Sequence, residues 1–120
     1  MKNVKKHVST LPLSLRGKKR YVLFRIAPGE KLDKSSVEKG LFHHFLLSFG
    51  VLGLPLLRYR FISYNASNGR GVFRVAHIKA AESIVSLSLV DSLHSLPVSI
   101  RSLRVSGSLK SLRPLFLQKQ

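Results

Sequence analysis

The sequence predicts an α+β fold of the ferredoxin-like βαββαβ kind. In this two-layer sandwich a four-stranded antiparallel sheet carries two helices on one face, and a short C-terminal helix follows. Three observations predict it. Four short segments alternate apolar and polar residues at period two, two longer ones repeat apolar residues at helical spacing, and an Asn/Gly-rich turn joins the middle pair of strands. At 120 residues the chain has the length of one domain with one core.

In "RYVLFRIA", residues 20–27, Val22, Phe24 and Ile26 share one face and Tyr21, Leu23 and Arg25 the other, which predicts the first strand. "PGEKLD" breaks it. Ser35 followed by Glu38 forms a capping-box pattern, and Val37, Leu41, Phe45 and Phe49 recur at helical spacing. Gly50 falls where a left-handed helix end is expected, so the first helix is predicted over Asp33 to Phe49. "LLRYRFISY" predicts the second strand, with Leu57, Tyr59 and Phe61 opposite Arg58, Arg60 and Ile62. "NASNGR" is a turn, because Asn and Gly tolerate positive φ, and "GVFRVAH" returns as the third strand. Residues 78–94 are predicted as a second helix whose stripe Ala81, Val85, Leu89 and Leu93 faces the core, with serines opposite. "VSIRSLRVS" is the fourth strand, and "SLKSLRPLFLQKQ" a short basic helix or tail interrupted at Pro114. The expected organisation is a single domain, 1–120, with a basic N-terminal arm (1–19), a βαββαβ core (20–106) and a basic C-terminal helix or tail (107–120). The sheet face away from the helices is expected to stay open, carrying Arg25, Arg58, Arg60 and one parity of the last strand.

Charge narrows the function. Lys and Arg number 21 against five Asp and Glu, for a formal net charge of +16. Such a chain repels itself until a polyanion neutralises it, so nucleic acid is the first candidate partner. Residues 1–29 and 92–120 hold no acid at all, which concentrates the positive field on the strands and chain ends. Cysteine is absent, excluding disulfides and thiolate metal sites and suiting a cytoplasmic protein. The basic start is followed by too short an apolar stretch for a signal peptide, and no apolar run is expected to reach the length of a membrane span.

Catalysis by this chain alone finds no support. The five acids are scattered, with no second acid or His at ligand spacing. His43 and His44 are adjacent and diverge on a helix; His7, His77 and His94 are isolated; surface or boundary positions suit all five better than a metal site. No catalytic residues, metal ligands or cofactor are expected. "GVLG", Gly50 to Gly53, has the form of a G-x-x-G nucleic-acid loop, but that loop joins two helices, whereas a strand is expected here. "RGVFRV", Arg70 to Val75, has one aromatic, Phe73, which shares parity with the core-facing Val75, so base stacking on this strand is disfavoured.

The binding signal lies in the basic segments. "RGKKR" supplies Arg16, Lys18, Lys19 and Arg20 directly at the mouth of the first strand, with no acid nearby and no flexible linker. A charge run is commonly a solvated face, but these cations are held in place. Near the other end Ser106, Gly107 and Ser108 precede Lys110 and Arg113, with Ser108 a plausible N-cap whose helix terminus suits a phosphate. These nine residues are the candidate nucleic-acid contacts. Tyr21, Leu23, Arg58 and Arg60, on the expected open face, are candidates for a protein partner.

"LPLSLRGKKRYVLFRI", "NGRGVFRV" and "VSGSLKSLR", in this order and spacing, resemble the archaeal ribonuclease P protein component 2 family over nearly the whole chain. Ser108 stands where the family commonly has Thr. The resemblance implies an RNA-recognition-like (RRM-like) α/β sandwich that binds ribonuclease P RNA and pairs with a TIM-barrel-like protein subunit. Two such pairs can self-associate through this subunit into a heterotetramer. The particle removes 5′ leaders from precursor tRNA, which this chain would meet only indirectly. Cleavage would belong to Mg²⁺ held by the RNA. Two other classes remain open on the residues alone: a protein-interaction module, and a different basic RNA-binding protein of ribosomal type.

Overall fold

The computed structural model describes residues 18–29 and 32–117. Its elements are β1 (Lys19–Ala27), α1 (Lys34–Leu57), β2 (Arg60–Asn65), β3 (Arg70–Ala76), a single 3₁₀ turn (His77–Lys79), α2 (Ala80–Ser88), β4 (Ser92–Leu93), β5 (Leu96–Pro97), β6 (Ser99–Ser106) and α3 (Leu109–Phe116). The main sheet has the order β2-β3-β1-β6, antiparallel throughout, and β4 and β5 form a separate small hairpin. That is the expected βαββαβ arrangement.

Alternation along β1 divides the molecule into two cores. Val22, Phe24 and Ile26 face α1 and α2, joining Val37, Leu41 and Phe45 of α1 and Phe73 and Val75 of β3 in the main core. Rings dominate its centre: Phe45 lies 4.9 Å from Tyr59 and 5.4 Å from Phe73, centroid to centroid. Leu23 faces the opposite way and is buried with Val72 and Leu112 in a second, smaller core. The outer sheet face is therefore not open, as the sequence led us to expect. α3 lies across its centre because its apolar residues, Leu112, Leu115 and Phe116, meet a matching patch on β1 and β3.

Three local expectations change. First, α1 is capped by Asp33, whose side chain accepts the backbone N–H of Ser36 at 2.8 Å, in place of a Ser35–Glu38 box. Hydrogen bonding by the Ser36 side chain, and then by its backbone N–H, holds the Asp33 carboxyl below the usual aspartate range. Second, Gly50 does take positive φ (76°), but a further helical segment follows to Leu57, which Arg58 ends in a left-handed conformation. Continuing the helix buries Leu57 and packs Leu54 on the main core, outweighing the bond Pro55 cannot donate. The resulting Lys34–Leu57 helix has a mean hydropathy of 1.6 in its most apolar window, enough by length and composition for a membrane span. The expectation that no such run exists is therefore corrected; the break at Gly50 and the buried Val37, Leu41 and Phe45 tie this helix to the sheet.

Third, α2 is shorter than expected and its faces are reversed. Ser83, Ser86 and Leu87 are buried, whereas Val85 and Leu89 are 62% and 71% exposed. The serines are satisfied locally. Ser83 donates to the Ala80 carbonyl, while the Ser86 hydroxyl donates to Ser48 at 2.8 Å. His44 Nε2 lies 2.7 Å from the Ser86 carbonyl oxygen. Small hydroxyl side chains at this contact let α1 and α2 approach closely.

Candidate nucleic-acid interface

Strand register places the arginines. On the outer face Arg25 of β1 lies directly opposite Arg70 of β3 on one side and Arg101 of β6 on the other, giving a row of three. A second pair, Arg60 and Arg74, sits toward the other end of β3, beside Tyr21. Arg104 pairs with Leu23 between them. Like charges directly opposite on neighbouring strands destabilise a sheet. The elements that carry them, β1, β2, β3, β6 and α3, contain neither Asp nor Glu. Asp33, Glu38, Glu82 and Asp91 lie in or beside the two helices of the other layer, and the ion pair formed among the described residues is Lys79–Glu82.

The guanidinium groups are partly committed. Arg70 Nη1 donates to the Leu115 carbonyl at 2.7 Å, and Asn68 Nδ2 donates to the Phe116 carbonyl at 2.8 Å. The β2–β3 turn thus caps the C-terminal end of α3 with donors and a positive charge, the sign the helix dipole favours there. Arg25 Nε and Arg74 Nε are buried without a hydrogen-bond partner. A shallow cleft bounded by Arg25, Ala27, Ser99 and Arg101 opens beside the first of them. Buried donors of this kind suit an anionic oxygen.

The expected RNA contacts fall at the opposite end of β1. Arg16 lies outside the described residues, as does most of the 1–19 arm. Lys18 and Lys19 are exposed, and the half-buried Arg20 packs its guanidinium against Gly107, where an added Cβ would sit 3.1 Å from Nη1. β1–β6 pairing therefore brings Lys19 and Arg20 beside Ser106, Gly107 and Ser108. Ser108 is the N-cap residue of α3, yet its side chain makes no capping bond; Ser106 Oγ accepts the Ser108 N–H at 3.0 Å instead. Ser106 Oγ also lies 2.6 Å from Ser111 Oγ. Lys110 and Arg113 are exposed on α3. Exposed cations thus stand at the start of β1 (Lys18, Lys19) and on α3 (Lys110, Arg113), in addition to the arginine rows. Sequence reading left out Arg70 and Arg74, whose signal was alternation in the outer parity of β3; it placed one parity of the last strand on this face, and only the register shift between Leu23 and Phe24 sets both Arg101 and Arg104 opposite outer-face residues of β1.

The candidate protein-contact residues do not form one face. Leu23 is fully buried beneath α3, Tyr21 is half-buried beside it, and Arg58 ends α1 in a left-handed conformation before β2 begins. Only Arg60 is exposed on the outer face. Exposed apolar side chains gather on the helical layer instead: Leu47, Val51, Leu52 and Leu56 on α1, with Val85 and Leu89 on or just after α2. "RGVFRV" contributes no stacking ring, since Phe73 is buried in the main core. Among the described residues no group of three or more His, Cys, Asp or Glu is placed to hold a metal ion.

The family model described as the Rpp14/Pop5 family matches residues 20–116, nearly the whole described fold. The chain belongs to this family. Among curated relatives, "Ribonuclease P protein component 2" of Thermococcus gammatolerans is 32% identical over 107 residues, covering 89% of each chain. The protein of the same name from Pyrococcus furiosus is 29% identical over 110 residues, covering 92% of each. In a cryo-EM structure of yeast ribonuclease MRP, one chain superposes with a TM-score of 0.61 at 20% identity, covering 77% of this chain and 76% of that one. That likeness speaks for the fold of this Rpp14/Pop5 member.

Proposed function

We propose that this chain is a protein subunit of ribonuclease P that binds the RNA of the particle through the arginine-bearing outer face of its sheet. Family membership and curated relatives named ribonuclease P protein component 2 support the assignment. The observation that carries the binding mode is Arg25 directly opposite Arg101 on neighbouring strands of a sheet whose four strands contain neither Asp nor Glu. A protein needing only stability would not keep it. The chain contributes no catalytic group; its arginines and lysines, including Arg16, Lys18, Lys19, Arg20, Lys110 and Arg113, neutralise phosphates that repel one another in the folded RNA. Less Mg²⁺ is then needed to hold the RNA that removes 5′ leaders from precursor tRNA. The site of action in this reading is the cytoplasm.

A second surface serves protein assembly. The exposed apolar residues of α1 and α2 exceed what a solvated helical layer needs, and they suit a protein partner, the TIM-barrel-like subunit or a second copy of this chain. RNA on the outer face and protein on the helical layer are compatible.

Titrating the full chain against ribonuclease P RNA over a range of salt tests the electrostatic reading. With about six phosphates neutralised, log K falls against log salt with a slope of about −4 to −5. Replacing Arg25 and Arg101 by Ala lowers that slope by about 1 to 2 and weakens binding, while the fold keeps its thermal stability. A slope near zero, or an unchanged slope in the double variant, refutes this interface.

A further inference from the structure

α3 does not seal the whole outer face. Between it and the edge strand β2 lies a cleft of about 170 Å³, lined by Ile62, Ser63, Val72, Leu112, Arg113 and Phe116 among others. Its walls are mainly apolar. A cavity of roughly 150 Å³ with apolar walls admits a benzene ring, so this one has room for a planar ring of pyrimidine size.

The backbone builds the cleft. A register shift between Phe61 and Ser63 lets Phe61 stay opposite the core-facing Phe73 while Ser63 pairs with the outward Val72. Ile62 joins the outer apolar cluster as well, so consecutive residues of β2 line the same cleft. Such bulges re-aim side chains at edges and functional sites. The polar groups are few and of useful kinds. Ser63 offers a hydroxyl that can donate or accept, and Arg113 brings a guanidinium that can stack on a ring or hold a phosphate. Phe116 supplies an aromatic wall.

The surrounding charge selects the occupant. Arg60 and Arg74 lie on the same face, one step along the sheet from the Ser63–Val72 pair, and the strands and α3 carry no acid. An apolar segment of a partner protein would gain nothing from that field, whereas a nucleotide brings both a ring for the cleft and phosphates for the arginines.

We propose that the β2–α3 cleft is a nucleobase slot, taking one unstacked base from a loop or single-stranded segment of RNA while Arg60, Arg74 and Arg113 neutralise the adjoining phosphates. The slot rests on the RNA-binding reading and adds a contact to the base itself, beyond the phosphate neutralisation that the arginine rows supply.

The test compares two ligands of equal length and charge on the full chain: an oligouridylate of about a dozen nucleotides and its abasic ribose-phosphate counterpart. The base-bearing strand is expected to bind about tenfold tighter, with the same salt slope. Ser63→Phe, which fills the cleft, should abolish that advantage and leave abasic binding unchanged. A 4-thiouridine oligonucleotide on the unaltered chain gives a measurement independent of any variant's folding: photo-adducts should fall within 60–65 and 109–116. Equal affinity for both ligands, or adducts confined to other segments, overturns the slot while leaving the RNA reading standing. Salt-insensitive or absent binding of both refutes the two together. A Ser63→Phe chain that keeps the base advantage but loses a protein partner assigns the cleft to a protein side chain and overturns the slot.

Discussion

Tyr59 carries a phenol into a cluster of rings, 4.9 Å from Phe45 and 5.7 Å from Phe73, and its hydroxyl finds no hydrogen-bond partner there. Burial first, and then the charge of Glu38, push its ionisation well above the usual tyrosine range, so the phenol stays neutral at any working pH. An unsatisfied buried hydroxyl costs stability, whereas the ring itself contributes packing. Tyr59→Phe keeps the ring and removes the cost. It should raise stability by about 1 kcal/mol in urea unfolding; a loss of that size would mean the hydroxyl has a partner. The same local logic explains α2. Ser83 and Ser86 looked like a solvated stripe because serine is polar, yet each buried hydroxyl is satisfied nearby, at Ala80 or at Ser48 and His44. Polarity alone could not say which face of α2 turns inward, since for Ser86 the answer lies in partners 38 and 42 residues away.

At the scale of elements, α3 decides what the outer face can do. Leu112 is fully buried beneath it against Leu23 and Val72, and the donors of Asn68 and Arg70 close its last carbonyls. Leu112→Ala should cost about 2–5 kcal/mol by urea unfolding; a cost below about 0.5 kcal/mol would show that α3 does not dock. The four strands of the main sheet and the start of α1 were legible because period-two and period-3.6 patterns are local. Docking of α3 was not. "SLKSLRPLF" shows its Leu112, Leu115 and Phe116, but the matching patch comes from Leu23 and Val72 on strands far away in sequence. Nor does "NASNGR" announce that Asn68 and Arg70 cap a helix as well as make a turn. The basic entry, Lys18 to Arg20, and Ser106 to Ser108 were both legible as motifs, and only strand pairing shows that they are neighbours.

For the whole molecule, the distribution of charge and of exposed apolar surface separates two faces. Positive side chains without acids occupy the sheet and α3; the described acids and the exposed apolar residues of α1 and α2 occupy the other layer. The proposed function assigns RNA to one layer and a protein partner to the other, and contacts on opposite layers are separable. Leu52 is 88% exposed on the second segment of α1, so a charge there disturbs no core packing. Leu52→Glu places an unpaired carboxylate in the middle of an apolar contact, which is costly only if a partner covers it. The variant should keep its melting temperature and its affinity for RNA, yet bind its protein partner at least about tenfold more weakly. Size-exclusion analysis with the partner subunit and a parallel RNA titration read the two separately. Weakened RNA binding in this variant would contradict the division of labour between layers, and unchanged protein binding would move the protein contact off α1.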